Sequence, residues 1–269
     1  MSNLARERGK LIAIGGNEDK IDNLKVLKRV VSEAKGRDTI VEVVTTASEN
    51  PRQMEDNYER AFKRIGVNGF GAIHISSRYD AADRSLEERI KEADLIFFTG
   101  GDQLRLSSIL GGSYFMEIVK QRFLDGALIA GTSAGAAALS DTMIYDGEGS
   151  TGMIKGSISM GPGLAFINGI IIDTHFINRT RMARLFQVVA TNPSVLGVGL
   201  SEDTAIYIRD NEDSMEVIGS SLVVVVDGGH LKNSNISKIA KGEPIAVENF
   251  HVHTLVEGYK YNFGERKFL

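Results

Sequence analysis

Through the first 140 residues, short apolar runs alternate with longer stretches in which apolar residues recur every three or four positions. Residues 11–14 close on Gly15-Gly16, and further runs follow at 39–46, 71–76, 94–99 and 127–130. Each has the length of a buried strand, and apolar runs without polar alternation belong to sheets covered on both faces. Between them, 21–34 carries Ile21, Leu24, Val26, Leu27, Val30 and Val31 at near-helical spacing. Pro51 suits the first turn of a second helix, whose stripe is Met54, Tyr58, Ala61, Phe62 and Ile65. Segments 86–93, 103–110 and 114–124 also read as helices. The alternation predicts an α/β fold: a mostly parallel sheet with helices on both faces.

The pattern changes after about residue 140. Residues 141–163 are rich in Gly and Ser with little periodicity, and read as a long loop over one end of the sheet. A strand at 170–173, a helix at 178–190 and a strand at 195–201 follow. Strands at 205–209, 215–218, 222–226 and 250–256 make the remainder β-rich. No repeat, linker or low-complexity segment divides the chain, so 1–269 reads as one domain with a β-rich C-terminal extension. Composition then removes whole classes of chemistry. There is no cysteine, so disulfides, a thiol nucleophile and thiolate metal sites are excluded. A net charge of -4 gives no electrostatic case for nucleic acid or an anionic membrane. With no secretory signal or transmembrane run, the expected location is cytoplasmic.

The chemistry centres on Gly131-Thr-Ser-Ala-Gly135, which joins the apolar run 127–130 to a segment of good helix formers beginning at Ala136. Strand, Gly-x-Ser-x-Gly and helix in that order form a nucleophile elbow, with Ser133 exposed on a tight turn. A serine needs a base to take its proton and a third group to orient the base. Of the five histidines, His175 stands out. It follows Ile170-Ile-Ile-Asp173, where a buried strand reaches its carboxyl end, and strand alternation puts Asp173 and His175 on one side. His74 lies in a predicted strand and reads as packed or hydrogen-bonded there, and His230 as a surface turn residue. His251 and His253 share one strand face as a metal pair would, but no carboxylate is recognisably spaced with them, and no metal is assigned.

The orienting acid is sought in Leu196-Gly-Val-Gly-Leu-Ser-Glu-Asp203, where only one of Glu202 and Asp203 can face the histidine; the stretch leaves both open. An oxyanion hole needs two N–H donors. Ala134 supplies one, and the Gly100-Gly101 turn, with Gly101 the candidate, the other. A phosphate cradle at those glycines lacks the Lys-Ser/Thr that should follow it. Asn178-Arg-Thr-Arg-Met-Ala-Arg184 reads as a helix start capped by Asn178. Its arginines Arg179, Arg181 and Arg184 form a cationic comb suited to substrate carboxylates.

Taken together, Gly15-Gly-Asn-Glu-Asp-Lys20, Phe98-Thr-Gly-Gly-Asp-Gln103, the elbow, Asp173-Thr-His-Phe176 with the three arginines, and Ser201-Glu-Asp-Thr-Ala205 resemble the cyanophycinases. The resemblance runs from Gly15 to the end of the chain. It implies a fold related to class I glutamine amidotransferases and aspartyl dipeptidases, with Ser133 as nucleophile, His175 as base and Glu202 as acid. It implies a substrate, cyanophycin, whose polyaspartate backbone carries arginine through isopeptide bonds and is cleaved to β-Asp-Arg dipeptides. Gln103, Asp173, Arg179, Arg181 and Arg184 match substrate-groove positions, with Asp173 facing a substrate guanidinium and the arginines its carboxylates. A homodimer is implied, and no cofactor. The chain departs from the family's Asp-Gln-His-Phe at Thr174. Two other readings share the scaffold: a dipeptidase for short aspartyl peptides, and a non-catalytic binding protein.

Overall fold

The computed structural model of the chain describes residues 9–149, 152–209 and 213–269. Its first half alternates as the pattern predicts: β1 (Lys10–Ile14), α1 (Lys25–Glu33), β2 (Ile40–Val44), α2 (Pro51–Ile65), β3 (Gly69–Ile73), α3 (Glu87–Glu92), β4 (Leu95–Phe98), α4 (Gln103–Leu110), α5 (Tyr114–Leu124), β5 (Leu128–Thr132) and the short α6 (Ala134–Ala137). Then come β6 (Thr142–Asp146), β7 (Ser159–Pro162), β8 (Ile170–Asp173), α7 (Met182–Thr191), β9 (Leu196–Leu200), β10 (Thr204–Arg209), β11 (Ser214–Gly219) and β12 (Leu222–Asp227). The chain closes with β13 (Asn233–Ser234), β14 (Val247–Glu248), β15 (His251–Val256), β16 (Lys260–Asn262) and β17 (Lys267–Phe268).

The strands form two principal sheets. A nine-stranded sheet runs β17-β16-β11-β10-β1-β5-β4-β2-β3, and a four-stranded sheet runs β15-β12-β9-β8. β3, β2, β4, β5 and β1 are parallel, whereas β10, β11, β16 and β17 add antiparallel strands at one side. Strand alternation explains the layers. Ile12 and Ile14 of β1 face one cluster with Leu27, Val30, Tyr58 and Phe62 of α1 and α2. Leu11 and Ala13 face the opposite one, which includes Phe115 and Val119 of α5 and, from the second sheet, Ile170, Ile172, Val223 and Val225. The outer face of the second sheet, Ile171, Val224 and Val226, is covered by Leu185, Val188 and Val189 of α7. Each principal sheet is thus covered on both faces, which is why its strands read as unbroken apolar runs.

Three predicted elements differ. The first helix begins at Lys25 rather than 21, and Ile21 is exposed. The Asp19 carboxylate accepts the backbone N–H groups of Ile21, Asp22, Asn23 and Leu24 at 2.5–3.0 Å, fixing a turn where the apolar pattern suggests helix. Those bonds, that from Asp22 first, hold Asp19 far below the usual carboxylate range. Within 141–163 the structure places a hairpin, β6 paired with β7, where a loop is predicted. The helix predicted at 178–190 begins at Met182, so Asn178 lies in a turn and caps nothing.

Candidate active site

The elbow is built from glycines that nothing larger could replace. A Cβ on Gly131 would stand 2.6 Å from the Gly135 carbonyl, and one on Gly135 would stand 2.3 Å from the Phe98 carbonyl oxygen. β5 therefore turns into α6 in close contact with β4. Ser133 sits on the turn at φ 50°, ψ -113°, a strained conformation for a residue with a Cβ. Its own N–H is bonded to Ile14 O at 3.0 Å, which ties the turn to β1. Thr132, just before it, donates to Glu18 Oε2 at 2.6 Å. Glu18 is buried and also accepts from the Tyr58 hydroxyl at 2.5 Å and from Lys20 at 2.8 Å. Burial, reinforced by the Glu18 charge, pushes the Tyr58 phenol well above its ordinary value, so it stays a donor.

His175 arrives from the other sheet. It follows β8, stands at φ 49°, and its N–H bonds to Gly15 O at 2.8 Å. Its Nε2 lies 2.9 Å from Ser133 Oγ, and its Nδ1 lies 2.8 Å from Glu202 Oε1. A carboxylate only accepts, so Nδ1 carries the proton in the neutral ring and Nε2 is left to accept the serine hydroxyl. Glu202 sits where the chain crosses from β9 in the second sheet to β10 in the first. Serine, histidine and acid thus come from both sheets and meet at the carboxyl ends of β5, β8 and β9.

The two neighbouring acids have separate partners. Asp203 points away at φ 48°, accepting the Asp19 N–H at 3.0 Å and the Ser220 hydroxyl. Glu202 keeps one oxygen on His175 and accepts Asn17 Nδ2 on the other at 3.0 Å. Its pKa is lowered, first by the hydrogen bond to His175. The His175 pKa is lowered by burial, a shift opposed by the Glu202 bond and assisted by the positive charges of Arg179 and Arg181.

Asn17 and Gly16 are missed by the motif reading as individual residues. Gly16, at φ +96°, passes so close that a Cβ would stand 2.4 Å from the imidazole, so only glycine admits the ring there. The signal in the sequence is the Gly-Gly-Asn that closes the first strand, but its neighbour across the fold cannot be read from it. Gly100 also comes close to Ser133: its Cβ would lie 3.3 Å from Ser133 Cβ. Gly101, at φ +142°, packs on the Ala47 carbonyl, and Ala134 opens α6, where first-turn N–H groups lack intrahelical partners.

The predicted groove residues separate into two groups. Arg179 is exposed beside His175, and Gln103 is half-buried, its amide donating to Ile144 O at 2.9 Å. By contrast, Asp173 and Arg184 are buried against each other, Arg184 Nε donating to Asp173 Oδ2 at 2.6 Å and Nη2 to Oδ1. Arg184 Nη1 also donates to Gly147 O at 2.8 Å. In this conformation Asp173 and Arg184 thus face each other rather than open solvent. Gly147, whose carbonyl accepts Arg184 Nη1, and Gly152, on which a Cβ would stand 2.1 Å from Arg184 N, both pack against this residue. Arg181 is intermediate, donating to Thr174 O at 2.7 Å, with its pKa lowered to about 10 by burial. Thr174 itself is buried.

Outside the C-terminal turn and strand pair, one further histidine takes a defined place. His74 lies just beyond β3 and bonds to Thr45 Oγ1 at 2.7 Å and Glu55 at 2.8 Å, so it is hydrogen-bonded as expected. His175 alone reaches Ser133.

A serine on a strand–elbow–helix turn, bonded to a histidine that is bonded to a carboxylate, is the arrangement of a serine-type hydrolase. The chain belongs to peptidase family S51, whose model matches residues 11–216. It is 36% identical over 256 residues to a cyanophycinase of Geminocystis herdmanii (strain PCC 6308), covering 95% of this chain and 94% of that one. It is 33% identical over 261 residues to a cyanophycinase of Nostoc sp. (strain PCC 7120), covering 96% and 87%. A crystal structure of a peptidase from an acI-B1 Actinobacterium superposes with a TM-score of 0.71 over 96% of this chain and 98% of that one, at 21% identity. The protein is a serine-type peptidase of this family.

Proposed function

We propose that the protein hydrolyses cyanophycin to β-Asp-Arg dipeptides through an acyl-enzyme on Ser133. The observation that carries the reading is the unbroken relay from Ser133 Oγ through His175 to Glu202, at 2.9 and 2.8 Å. His175 Nε2 takes the serine proton as Oγ attacks the backbone carbonyl of an aspartyl unit. The attack turns the carbonyl oxygen into an anion, received by the Ala134 and Gly101 N–H groups. His175 then gives its proton to the leaving amine as the oxyanion collapses and the C–N bond breaks, leaving the aspartyl ester on Ser133 Oγ. Water, deprotonated by His175, next cleaves the ester and regenerates the hydroxyl. Glu202 holds the ring in the required tautomer throughout.

The groove reading narrows to Arg179, Arg181 and Gln103, since Asp173 and Arg184 act as a scaffold pair. Arg179 is the cation presented to solvent beside the nucleophile and is the first candidate for a substrate carboxylate. The family resemblance favours a homodimer, which light scattering of the purified chain tests, and the sequence favours a cytoplasmic location.

The decisive assay incubates the protein with purified cyanophycin and identifies the products by mass spectrometry. β-Asp-Arg released by the parent and lost by several orders of magnitude in Ser133→Ala is the expected result. Intact polymer with rapid hydrolysis of short aspartyl peptides would move the activity to a dipeptidase. Release by Ser133→Ala within about tenfold of the parent would remove Ser133 as nucleophile.

A further inference from the structure

At the far end of the second sheet, three metal-binding side chains converge that the hydrolytic site does not use. Asp227 is the last residue of β12 and is buried, His230 lies in the turn that follows, and His251 opens β15. Asp227 and His251 are direct partners in the antiparallel register. One ligand atom from each residue lies within 4.8 Å of the other two. The imidazoles of His230 and His251 are stacked, their centroids 4.4 Å apart. Both histidines are exposed, so their rings can adjust, whereas Asp227 is held by Gly229 N–H at 2.7 Å and by Arg266. Both of those bonds end on Oδ1, and Oδ2 carries neither.

We infer that Asp227, His230 and His251 form a binding site for a divalent transition-metal ion of the zinc class. Two imidazoles and one carboxylate are a donor set that Zn2+, Ni2+ and Cu2+ accept, and a water would complete a tetrahedral shell. Closing the shell draws the donors to about 2.0–2.2 Å from the ion, a small movement for two solvent-facing rings. Arg266 supplies the second-layer contact that orients a ligating carboxylate, and Asn249 Nδ2, donating to His230 O at 2.8 Å, fixes the turn. His253, the other histidine of the strand, is not part of the set: its ring packs against Tyr261 and Phe268, with centroids 5.3 and 5.5 Å away. The carboxylate that the spacing around His251 and His253 fails to supply comes instead from the neighbouring strand.

The site is remote from the relay. Asp227 pairs with Leu196 at the start of β9, whereas Glu202 lies six residues further along, roughly 20 Å of extended chain. The bound ion would pin the end of β12, the turn after it and the start of β15 together, a stabilising role with no part in hydrolysis.

The test uses the full chain without an affinity tag, stripped with a chelator and titrated with ZnCl2 by calorimetry. The expected result is one Zn2+ per chain and a higher Tm with the metal. Affinity should fall by at least about 100-fold in His230→Ala and in His251→Ala, because losing a ligand costs no less than losing its outer partner. His253→Gln should bind as the parent does, and the chelated parent should keep its hydrolytic rate. Binding at parental affinity in His230→Ala or His251→Ala, absence of binding by the parent, or loss of hydrolysis on chelation would each overturn the assignment.

Discussion

His175 sets the pH dependence of the proposed reaction. It must be neutral to accept the Ser133 proton, and burial lowers its pKa from the ordinary value of 6.5. The rate should therefore fall on the acid side only as pH drops through that lowered value, with the acid limb of kcat/KM below about 6.5. Arg179 contributes a positive charge that opposes protonation, so Arg179→Ala should move the acid limb upward in pH. Glu202→Gln has the opposite sign, because it removes a bond that favours the imidazolium, and the limb should shift downward while turnover falls. Asn17 acts one bond further out. Its amide holds Glu202 Oε2, and a hydrogen bond to a charged group is worth about 1.5–3 kcal/mol when desolvated. Because Asn17 is exposed, Asn17→Ala should lower kcat by only about tenfold with little change in KM. Steady-state kinetics of the variant against pH would separate this from a loss of fold, which would lower the fraction of active protein and leave the profile unmoved.

At the scale of elements, the turn between β8 and α7 is where the charges change meaning. Read along the chain, Arg179, Arg181 and Arg184 form a comb; in the fold only the first stays exposed. Removing one partner of a buried ion pair leaves the other charge uncompensated, at a cost of about 3–5 kcal/mol. Asp173→Asn, which removes the carboxylate from both Arg184 and Arg181, should lower the Tm substantially in thermal unfolding, and Arg184→Ala less, because Arg181 Nη1 still lies 3.4 Å from Asp173 Oδ1. Double replacement by leucine or methionine should recover only part of the loss, since Arg181 is then left without its carboxylate. Equal stability of Arg184→Ala and the parent would return the arginine to the substrate groove. Tyr58→Phe probes the buried network under the elbow, where Glu18 would lose one donor, and should cost about 1.5–3 kcal/mol.

Across the whole molecule, the C-terminal strands are structural members of both sheets. β15 is the edge strand of the second sheet beside β12, and β16 and β17 continue the first beyond β11. Leu255 and Tyr261 are buried, and together they represent about 3–6 kcal/mol of apolar burial against a typical total of about 5–15 kcal/mol. Truncation before His251 should therefore abolish cooperative unfolding and hydrolysis together. A cooperative transition retained by the truncated chain would show that these strands are accessory.

The sequence alone determined the α/β alternation, because unbroken apolar runs and helical stripes are local patterns that burial on two faces imposes. It also determined the elbow, since glycines at 131 and 135 around a serine answer a steric demand made within five residues. The pairing of Ser133 with His175 was legible because both sit at carboxyl ends of strands. Geometry within the stretch Leu196–Asp203 could not choose between Glu202 and Asp203; the resemblance favoured Glu202, and only the crossing from one sheet to the other turns it toward the imidazole. The burial of Arg184, the reach of Asn17, the hairpin within 141–163 and the meeting of Asp227 with His230 and His251 likewise belong to the tertiary structure. Each depends on segments far apart in the chain being brought within hydrogen-bonding or packing distance, and no period, cap or spacing along one segment encodes the position of another.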